Sequence, residues 1–234
     1  MQPDDLKLDQ MHDVIMNVLD RPDTRTSPWA RRLGAGERGD AYRHLARQLG
    51  ERYRHCTFDT YQIYDNSKRT LTQASALDRV KSWAEDMESH VTRGGGLVLF
   101  GPPGTGKDHL LACAGYWAII RFGFDVTWRD GAQLAQRLRE SIREGGEGRI
   151  VDELSNAQIL ILSDPVPPRG DTSAWIVDVL QRIIDRRYRN GLSTWASLNV
   201  KDGKEAEQRL APPIVDRLRH GSLALNCTWK SYRK

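Results

Sequence analysis

Cysteine is scarce in this chain, which has three cysteines among 234 residues, at positions 56, 113 and 227. Their odd number and wide spacing argue against a disulfide framework and against a cysteine-based zinc site, so we expect free thiols. No apolar run is long enough to cross a bilayer, and the acidic segment Met1 to Asp5 lacks the basic and apolar parts of a secretory signal. These absences predict a cytoplasmic protein with no membrane partner.

Strong charge of one sign is also missing, because 35 Lys and Arg residues face 31 Asp and Glu residues and the net charge is +4. This small basic excess is compatible with an anionic partner, but arginines on a solvated surface would give the same composition. A hydrophobic content of 39% and a charged content of 28% are typical of a folded globular protein. The length accommodates one main domain and a smaller appendage.

Residues 1–55 are predicted to form a small helical N-terminal region. Apolar residues recur at helical spacing from Leu6 to Leu19, and a second helical pattern extends from about Glu37 to Arg54. Between them, Arg21 to Pro28 has the composition of a linker or an exposed loop. The first helix is either a docking element for a partner or an element that packs on the core, and both interpretations remain open.

Residues 56–234 are predicted to form the main domain, in which apolar strands alternate with helices after a helical pattern from Leu71 to Val91. The predicted strands are Leu97–Phe100, Phe124–Trp128, Ile159–Leu162, Ser193–Leu198 and Ser222–Asn226, with helices that begin near Lys107, Ala132, Ser173 and Pro212. This alternation predicts a three-layer α/β fold with a parallel five-stranded sheet and ligands at the carboxyl ends of its strands. We expect no separate C-terminal lid after the last strand.

The first chemical signal is a glycine-rich loop between a predicted strand and a predicted helix. Its glycines allow backbone N–H groups to surround phosphate oxygens, and Lys107 can reach the outer phosphates. The sequence therefore predicts binding of ATP with Mg²⁺. The residues expected to contact the nucleotide are Gly101, Pro102, Pro103, Gly104, Thr105, Gly106, Lys107, Asp108 and His109.

Two positions depart from the usual pattern of this motif. Asp108 stands where Ser or Thr normally supplies a hydroxyl to Mg²⁺, and Ser163 stands at the strand end where a carboxylate is expected, followed by Asp164. Our hypothesis is that the two ligands have exchanged places, so that Asp108 and Ser163 hold the metal with Asp164, which also activates the lytic water. The alternative is a degenerate site that binds nucleotide and barely hydrolyses it. Slow hydrolysis is expected in the first case.

With these motifs the chain resembles the DnaC-type helicase loaders and the IstB-type transposition ATPases, which are AAA+ P-loop proteins. The resemblance extends from about Phe58 to Arg233. The segments that carry it are Cys56 to Tyr61, Gly101 to Leu110 except for Asp108, Trp175 to Tyr188, Ser197 to Asn199, and Ile214 to Leu218. The two departures described above are also departures from this family.

The resemblance implies roles for two further residues. Asn199 would be the sensor that holds the lytic water beside the γ-phosphate, unless it only caps its loop. Arg217 would be an arginine finger that reaches the nucleotide of a neighbouring subunit, with Arg209 and Arg219 as fallback candidates. A structural alternative pairs Arg217 with Asp216 or Asp185 on a helix face. A finger supplied by a neighbour implies a homo-oligomer, which in this family is a spiral.

The family also implies DNA contact after the second strand, where arginines are concentrated. The candidate DNA-binding residues are Arg129, Arg137, Arg139, Arg143 and Arg149. They could neutralise phosphates of single-stranded DNA without recognising its sequence. Glu140 and Glu144 lie at helical spacing from several of them, so a solvated face of ion pairs is an equal alternative.

Taken together, the resemblance implies an ATP-dependent loader that assembles on single-stranded DNA and delivers a DnaB-type replicative helicase. One alternative is a transposition helper that binds duplex DNA and a transposase. Another is an ATP switch that hydrolyses nothing and serves as a scaffold for a protein partner.

Overall fold

The sheet that organises the molecule has five parallel strands in the order β2-β3-β4-β1-β5. We describe it in a computed structural model, which covers residues 31–63, 72–142, 145–166 and 173–232. The strands are β1 (Leu97–Phe100), β2 (Val126–Asp130), β3 (Ile159–Ser163), β4 (Ser193–Leu198) and β5 (Leu223–Asn226). The sheet confirms the predicted α/β class and parallel arrangement. The predicted helix from Leu6 to Leu19 and the segment from Arg21 to Pro28 lie outside the described residues.

Nine α-helices belong to the described part of the chain. They are α1 (Ala35–Leu49), α2 (Gln73–Glu85), α3 (Met87–Thr92), α4 (Lys107–Trp117), α5 (Gly131–Ile142), α6 (Glu147–Asn156), α7 (Ser173–Arg189), α8 (Gly203–Leu210) and α9 (Pro212–Arg219). Short 3₁₀ turns cover Glu51–Tyr53 and Phe58–Thr60, and a π-helical turn covers Ala118–Phe122.

The helices cover both faces of the sheet and divide the core in two. Leu45, Val80 and Leu111 belong to the core on one face, which is covered by α1 to α4. Leu138 and Ile183 belong to the core on the other face, which is covered by α5 to α9. The result is the predicted three-layer architecture. In the described residues that follow β5, positions 227–232, no helix is formed.

The second helical pattern of the N-terminal region forms α1, which packs on the sheet. Leu45 is fully buried, and the rings of Tyr42 and Tyr116 lie 4.5 Å apart between their centroids. Gly50 follows α1, and its φ of 76° and ψ of 174° form a backbone conformation that glycine adopts readily and other residues do not. The described part of the N-terminal region is thus continuous with the core, and a boundary near residue 55 stays a prediction.

Element boundaries differ from the predictions where local conformation interrupts a pattern. The helix predicted from Leu71 to Val91 is two helices, because Asp86 leaves the helical region between them. Strand β2 begins at Val126, since the first residue pair with β3 joins Val126 to Ile159. The short polar helices α6 and α8 were not predicted.

In the part of the chain that the structure describes, no helix combines the length and the apolar character that a membrane span needs. Cys56, Cys113 and Cys227 are buried and free, as expected.

Candidate nucleotide-binding site

The glycine-rich loop connects β1 to α4 at the carboxyl edge of the sheet. Gly104 and Gly106 have φ of 82° and 85°, a left-handed backbone that favours glycine. A Cβ at Gly106 would also lie 2.7 Å from Cε2 of Tyr232 and 3.0 Å from Cε2 of Tyr61. Position 106 therefore requires glycine both for its backbone conformation and for the close approach of two aromatic rings.

Lys107 is the first residue of α4, and its side chain folds back into the loop. Its Nζ donates hydrogen bonds to the carbonyl oxygens of Gly101, at 2.9 Å, and Pro102, at 2.7 Å. The residue is only 5% exposed. A buried ammonium beside a helix N-terminus gives the loop a positive electrostatic potential, which favours an anionic ligand.

A cavity of about 430 Å³ opens in front of the loop. This size lies within the range that small-molecule sites occupy. The residues that line it are Arg52, Tyr53, Thr60, Gln62, Pro103, Gly104, Gly106, Lys107, Asp108, His109, Asn199 and Tyr232. Of the predicted nucleotide contacts, Gly101, Pro102 and Thr105 belong to the loop itself and do not line the cavity. The contributions of residues 52–62 and of Tyr232 were missed, because nothing in the loop motif points to them.

Asp108 lies among hydroxyl groups at the carboxyl ends of β3 and β4. Ser197 Oγ donates a hydrogen bond to Asp108 Oδ1 at 2.5 Å, and Ser163 also hydrogen-bonds this carboxylate. Burial raises the pKa of Asp108, while the two serines and the charge of Lys107 oppose that rise. Ser163 and Ser197 are neighbours because they are paired across β3 and β4. Ser197 was missed as a site residue, although correct pairing of the two predicted strands would have placed it beside Ser163.

Asp164 and Asn199 form a second polar pair beside the first. Asn199 Nδ2 donates to Asp164 Oδ2 at 2.7 Å, and the backbone N–H of Asn199 donates to Oδ1 at 3.3 Å. Asp164 has φ of 46°, and its own N–H donates to the carbonyl oxygen of Ser197 at 2.9 Å. The left-handed backbone aims this carboxylate across the strand ends toward the next loop. The structure thus brings Asp108, Ser163, Asp164 and Asn199 together, as the sequence predicted.

The donor groups at the carboxyl ends of the strands suit a magnesium ion shared with a ligand better than a metal ion held by protein side chains alone. In the described ranges, no group of three His, Cys, Asp or Glu side chains is close enough to hold a metal ion. Two carboxylates, Asp108 and Asp164, and the hydroxyl of Ser163 are available instead. Magnesium is usually held by one or two carboxylates together with phosphate oxygens and water, so these donors fit Mg²⁺ that arrives with a nucleotide.

Arg217 lies on α9, near the amino-terminal ends of the strands, whereas the glycine-rich loop lies at their carboxyl ends. It lines a cavity of about 330 Å³ with Gly94, Gly191 and Ser222, which precede β1, β4 and β5. Its Nη2 forms an ion pair with Asp185 Oδ1 at 2.7 Å. Asp185 is one of the two acidic residues that we considered from the sequence as an ion-pair partner of Arg217. From the amino-terminal ends of the strands, Arg217 cannot contact a nucleotide bound to its own loop.

The five arginines proposed to contact DNA have different surroundings. Arg129 and Arg137 both form ion pairs with Glu153 of α6, at 2.5 and 2.7 Å. Arg139 and Arg149 are exposed. Arg143 lies outside the described residues. The acidic partner of Arg129 and Arg137 is therefore on α6 and not on α5. Glu140, which was the expected partner on α5, accepts a hydrogen bond from Gln136.

Comparison with known proteins places this geometry among nucleotide-binding proteins. A family model described as IstB-like ATP binding protein matches residues 2–234. The replicative helicase loader DnaC of Buchnera aphidicola from Acyrthosiphon pisum is 28% identical over 190 residues, which cover 80% of this chain and 72% of that protein. The DnaC loader of Escherichia coli K12 is 26% identical over 184 residues, which cover 77% of this chain and 70% of that protein.

Solved structures show the same fold. The crystal structure of the DnaC helicase loader has a TM-score of 0.64 and 24% identity, and covers 76% of this chain and 99% of that one. The replication initiator DnaA bound to AMPPCP and single-stranded DNA has a TM-score of 0.57 and 20% identity, and covers 76% of this chain and 50% of that one. The chain therefore shares the three-layer α/β fold of these two proteins.

Proposed function

The chain belongs to the IstB-like ATP-binding protein family, and we propose that it is an ATP-dependent loader of a DnaB-type replicative helicase. The observation that supports this most is the convergence of the glycine-rich loop, Asp108 and Asn199 on one cavity, with Asp164 hydrogen-bonded to Asn199 beside it, in a fold shared with DnaC. Relatives described as DnaC helicase loaders cover most of the chain.

Nucleotide binding begins with the loop and Lys107. The ammonium of Lys107 would exchange its two carbonyl acceptors for oxygens of the outer phosphates, which bind it more strongly because both partners are charged. Residues 52–62 and Tyr232 then face the remainder of the nucleotide from the other side of the cavity. Mg²⁺, held by Asp108 and Ser163 with Asp164, would supply positive charge against the β- and γ-phosphates.

Hydrolysis would be carried out by the Asp164 and Asn199 pair. The carboxylate of Asp164 accepts a proton from the attacking water, while the amide of Asn199 holds that water near the γ-phosphate. Asp164 is one methylene shorter than a glutamate, and its oxygens already accept two hydrogen bonds from Asn199. Both features reduce its reach toward water, so we expect hydrolysis to be slow.

Arg217 would act on the nucleotide of a neighbouring subunit. Its position at the edge opposite the loop suits action between subunits, because subunits packed head to tail bring that edge against the next nucleotide site. Its guanidinium would neutralise charge that spreads over the transferring phosphoryl group. Hydrolysis would then require assembly, and the homo-oligomer would be a spiral.

Single-stranded DNA is the proposed track for this assembly. Arg139 and Arg149 are exposed on α5 and α6, and Arg129 and Arg137 could exchange Glu153 for phosphate oxygens. A DnaA neighbour with the same fold is described as bound to single-stranded DNA. Such contacts give affinity without sequence preference. The N-terminal region would hold the helicase until hydrolysis releases it.

One assay tests this proposal. ATP hydrolysis by the full chain is measured with no DNA, with single-stranded DNA and with duplex DNA, alongside Lys107→Ala and Arg217→Ala. Stimulation by single strands that both variants lose is the expected result. If ATP is bound but is not hydrolysed under any condition, the proposed ATPase activity is contradicted. The chain would then be a scaffold that responds to ATP binding alone.

A second candidate is a transposition helper, which is favoured by the match of the IstB-like model to residues 2–234. The same ATPase core would then bind duplex DNA and recruit a transposase. Stimulation of hydrolysis by duplex DNA but not by single strands would support this candidate and contradict the helicase loader.

A further inference from the structure

The segment after β5, residues 227–232, which we call the tail, runs along the outer side of the glycine-rich loop. Trp229 Nε1 donates to the carbonyl oxygen of Thr105 at 2.7 Å, and the backbone N–H of Tyr232 donates to the carbonyl oxygen of Gly104 at 2.8 Å. Trp229 is 3% exposed and Thr105 is fully buried. Two consecutive carbonyl groups of the loop are therefore bonded to the tail.

These two bonds also fix where the loop's N–H groups point. In a planar trans peptide the C=O and N–H bonds point in opposite directions. The carbonyl of Gly104 is turned toward the tail, so the N–H of Thr105 is turned away from it. The same holds for the carbonyl of Thr105 and the N–H of Gly106. The tail thus sets the direction of two of the donors that a phosphate group would meet.

The tail also connects the loop to residues 52–62 across the cavity. The hydroxyl of Tyr232 donates to the carbonyl oxygen of Gln62 at 2.6 Å, and its ring meets the ring of Tyr61 edge-on at 6.0 Å between centroids. The hydroxyl of Tyr61 donates in turn to the carbonyl oxygen of Thr105 at 3.4 Å. The loop is held from two sides by side chains that its own motif does not include.

We propose that Trp229 and Tyr232 are positioning residues for the triphosphate, which act by orienting the peptide units of the loop before the nucleotide arrives. This inference rests on the proposed ATP site and names the residues that prepare it. The group that the loop would bind is a chain of phosphates. Loss of either residue should therefore weaken binding of the phosphates and not of the base. Breaking the bond from Tyr232 frees the peptide unit of Gly104 to turn, and breaking the bond from Trp229 leaves the carbonyl of Thr105 only the 3.4 Å bond from the hydroxyl of Tyr61. Phosphate binding must then restore the orientation.

The test compares pairs of variants of the full chain. Trp229→Phe removes the indole N–H beside the loop and keeps an aromatic ring. Trp195→Phe is its matched control, because Trp195 is also buried and its Nε1 donates a 2.8 Å bond to Ser193 Oγ, away from the loop. Tyr232→Pro removes the backbone donor, whereas Tyr232→Ala keeps it, so these two variants differ in that bond and in the restriction of φ that proline brings.

Affinity is measured by displacement of a fluorescent ATP analogue with ATP and with inorganic tripolyphosphate, well below the unfolding temperature of each variant. Trp229→Phe should weaken both competitors by about tenfold, since one buried hydrogen bond corresponds to roughly that change. Trp195→Phe should change neither, and Tyr232→Pro should bind more weakly than Tyr232→Ala. Tripolyphosphate is informative because a role in base contact alone would leave its affinity unchanged.

Three results would overturn the inference. They are wild-type affinity in Trp229→Phe, equal losses in Trp229→Phe and Trp195→Phe, and a loss for ATP that tripolyphosphate does not share. Failure of the unsubstituted chain to bind ATP would instead contradict the proposed function itself. If the unsubstituted chain binds ATP and Trp229→Phe binds it equally well, only the proposed role of the tail is contradicted.

Discussion

Ser197 Oγ lies 2.5 Å from Oδ1 of Asp108 and donates a hydrogen bond to it, which joins the strand end of β4 to the first turn of α4. Ser197 is buried and Asp108 is half-buried, so the bond compensates a carboxylate that has lost part of its water. Ser197→Ala should lower the free energy of unfolding by about 1–2 kcal/mol, because the Asp108 carboxylate loses one of its two hydroxyl donors and keeps only Ser163. It should also weaken Mg²⁺-dependent ATP binding.

Urea denaturation and ATP titration with and without Mg²⁺ measure both effects. Ser193→Ala is the control, since Ser193 is a buried serine of the same strand that donates to Gly95 outside the site. It should lose stability without losing dependence on Mg²⁺. Equal behaviour of the two variants would separate Ser197 from the metal site.

The exchange of ligands between positions 108 and 163 can be tested by reversing it. Asp108→Ser and Ser163→Asp should each lower Mg²⁺-dependent hydrolysis at least tenfold, because each disturbs the charge around the metal. The double variant restores the usual arrangement of hydroxyl and carboxylate and should recover part of the loss. Steady-state hydrolysis over a range of Mg²⁺ concentrations measures this. Losses that simply add in the double variant would contradict the exchange.

Asn199→Ala should separate binding from chemistry. The amide contacts Asp164, not the glycine-rich loop, so ATP affinity should remain within twofold. The hydrolysis rate at saturating ATP should fall about a hundredfold, the loss typical of removing one donor from a reacting oxygen. A matching fall in affinity and rate would instead indicate that Asn199 only supports the shape of the cavity.

Arg217 acting between subunits predicts complementation. Arg217→Ala keeps an intact glycine-rich loop, and Lys107→Ala keeps an intact finger, so each should be inactive alone. Mixed together with single-stranded DNA, they should regain activity at interfaces that combine one intact loop with one intact finger. Hydrolysis as a function of the mixing ratio tests this, with the double variant as the negative control. A mixture as inactive as its parts would rule out a shared site.

Arg187 should be required for folding and not for chemistry. It is fully buried on α7, and its guanidinium donates to Thr194 Oγ1 at 2.9 Å and to the carbonyl oxygens of Leu154, Ala157 and Ser193 at 2.8, 2.6 and 2.5 Å. Burial lowers its pKa to about 9, which still leaves it charged at neutral pH.

Arg187→Met should lower the free energy of unfolding by about 3 kcal/mol or more, because it leaves several buried acceptors unpaired. The neighbouring Arg186→Met is the matched control, since Arg186 is 43% exposed and pairs with Asp152 at the surface. It should cost less than about 1 kcal/mol. Urea denaturation measures both, and similar values for the two variants would contradict the structural role.

Much of the sheet could be predicted because buried parallel strands are short apolar runs. Leu97–Phe100 and Ser193–Leu198 have the predicted bounds, and the loop motif with its following helix fixed the location of the site. Asp108, Ser163, Asp164 and Asn199 also converge as predicted, because parallel strands end at the same edge. Periodicity was less informative for α6 and α8, which are short and largely polar.

The remainder of the site depends on contacts between distant parts of the chain. Ser197 faces Asp108 only because β3, β4 and β1 are neighbours in the sheet, a fact of strand order that local patterns do not contain. Trp229 and Tyr232 reach the loop through a tail whose sequence has no periodic signal, so no local pattern predicts the hydrogen bonds between this tail and the loop.

Under the proposed function, the separation of Arg217 from the glycine-rich loop gives each subunit two unlike ends, one that receives a guanidinium and one that offers it. Under the proposed function, an open row of subunits then always has one more bound nucleotide than it has complete catalytic interfaces. The subunit at the receiving end keeps its ATP uncleaved until a newcomer arrives. The subunits behind it can hydrolyse their ATP, so the nucleotide state along the row would follow the order in which the subunits were added.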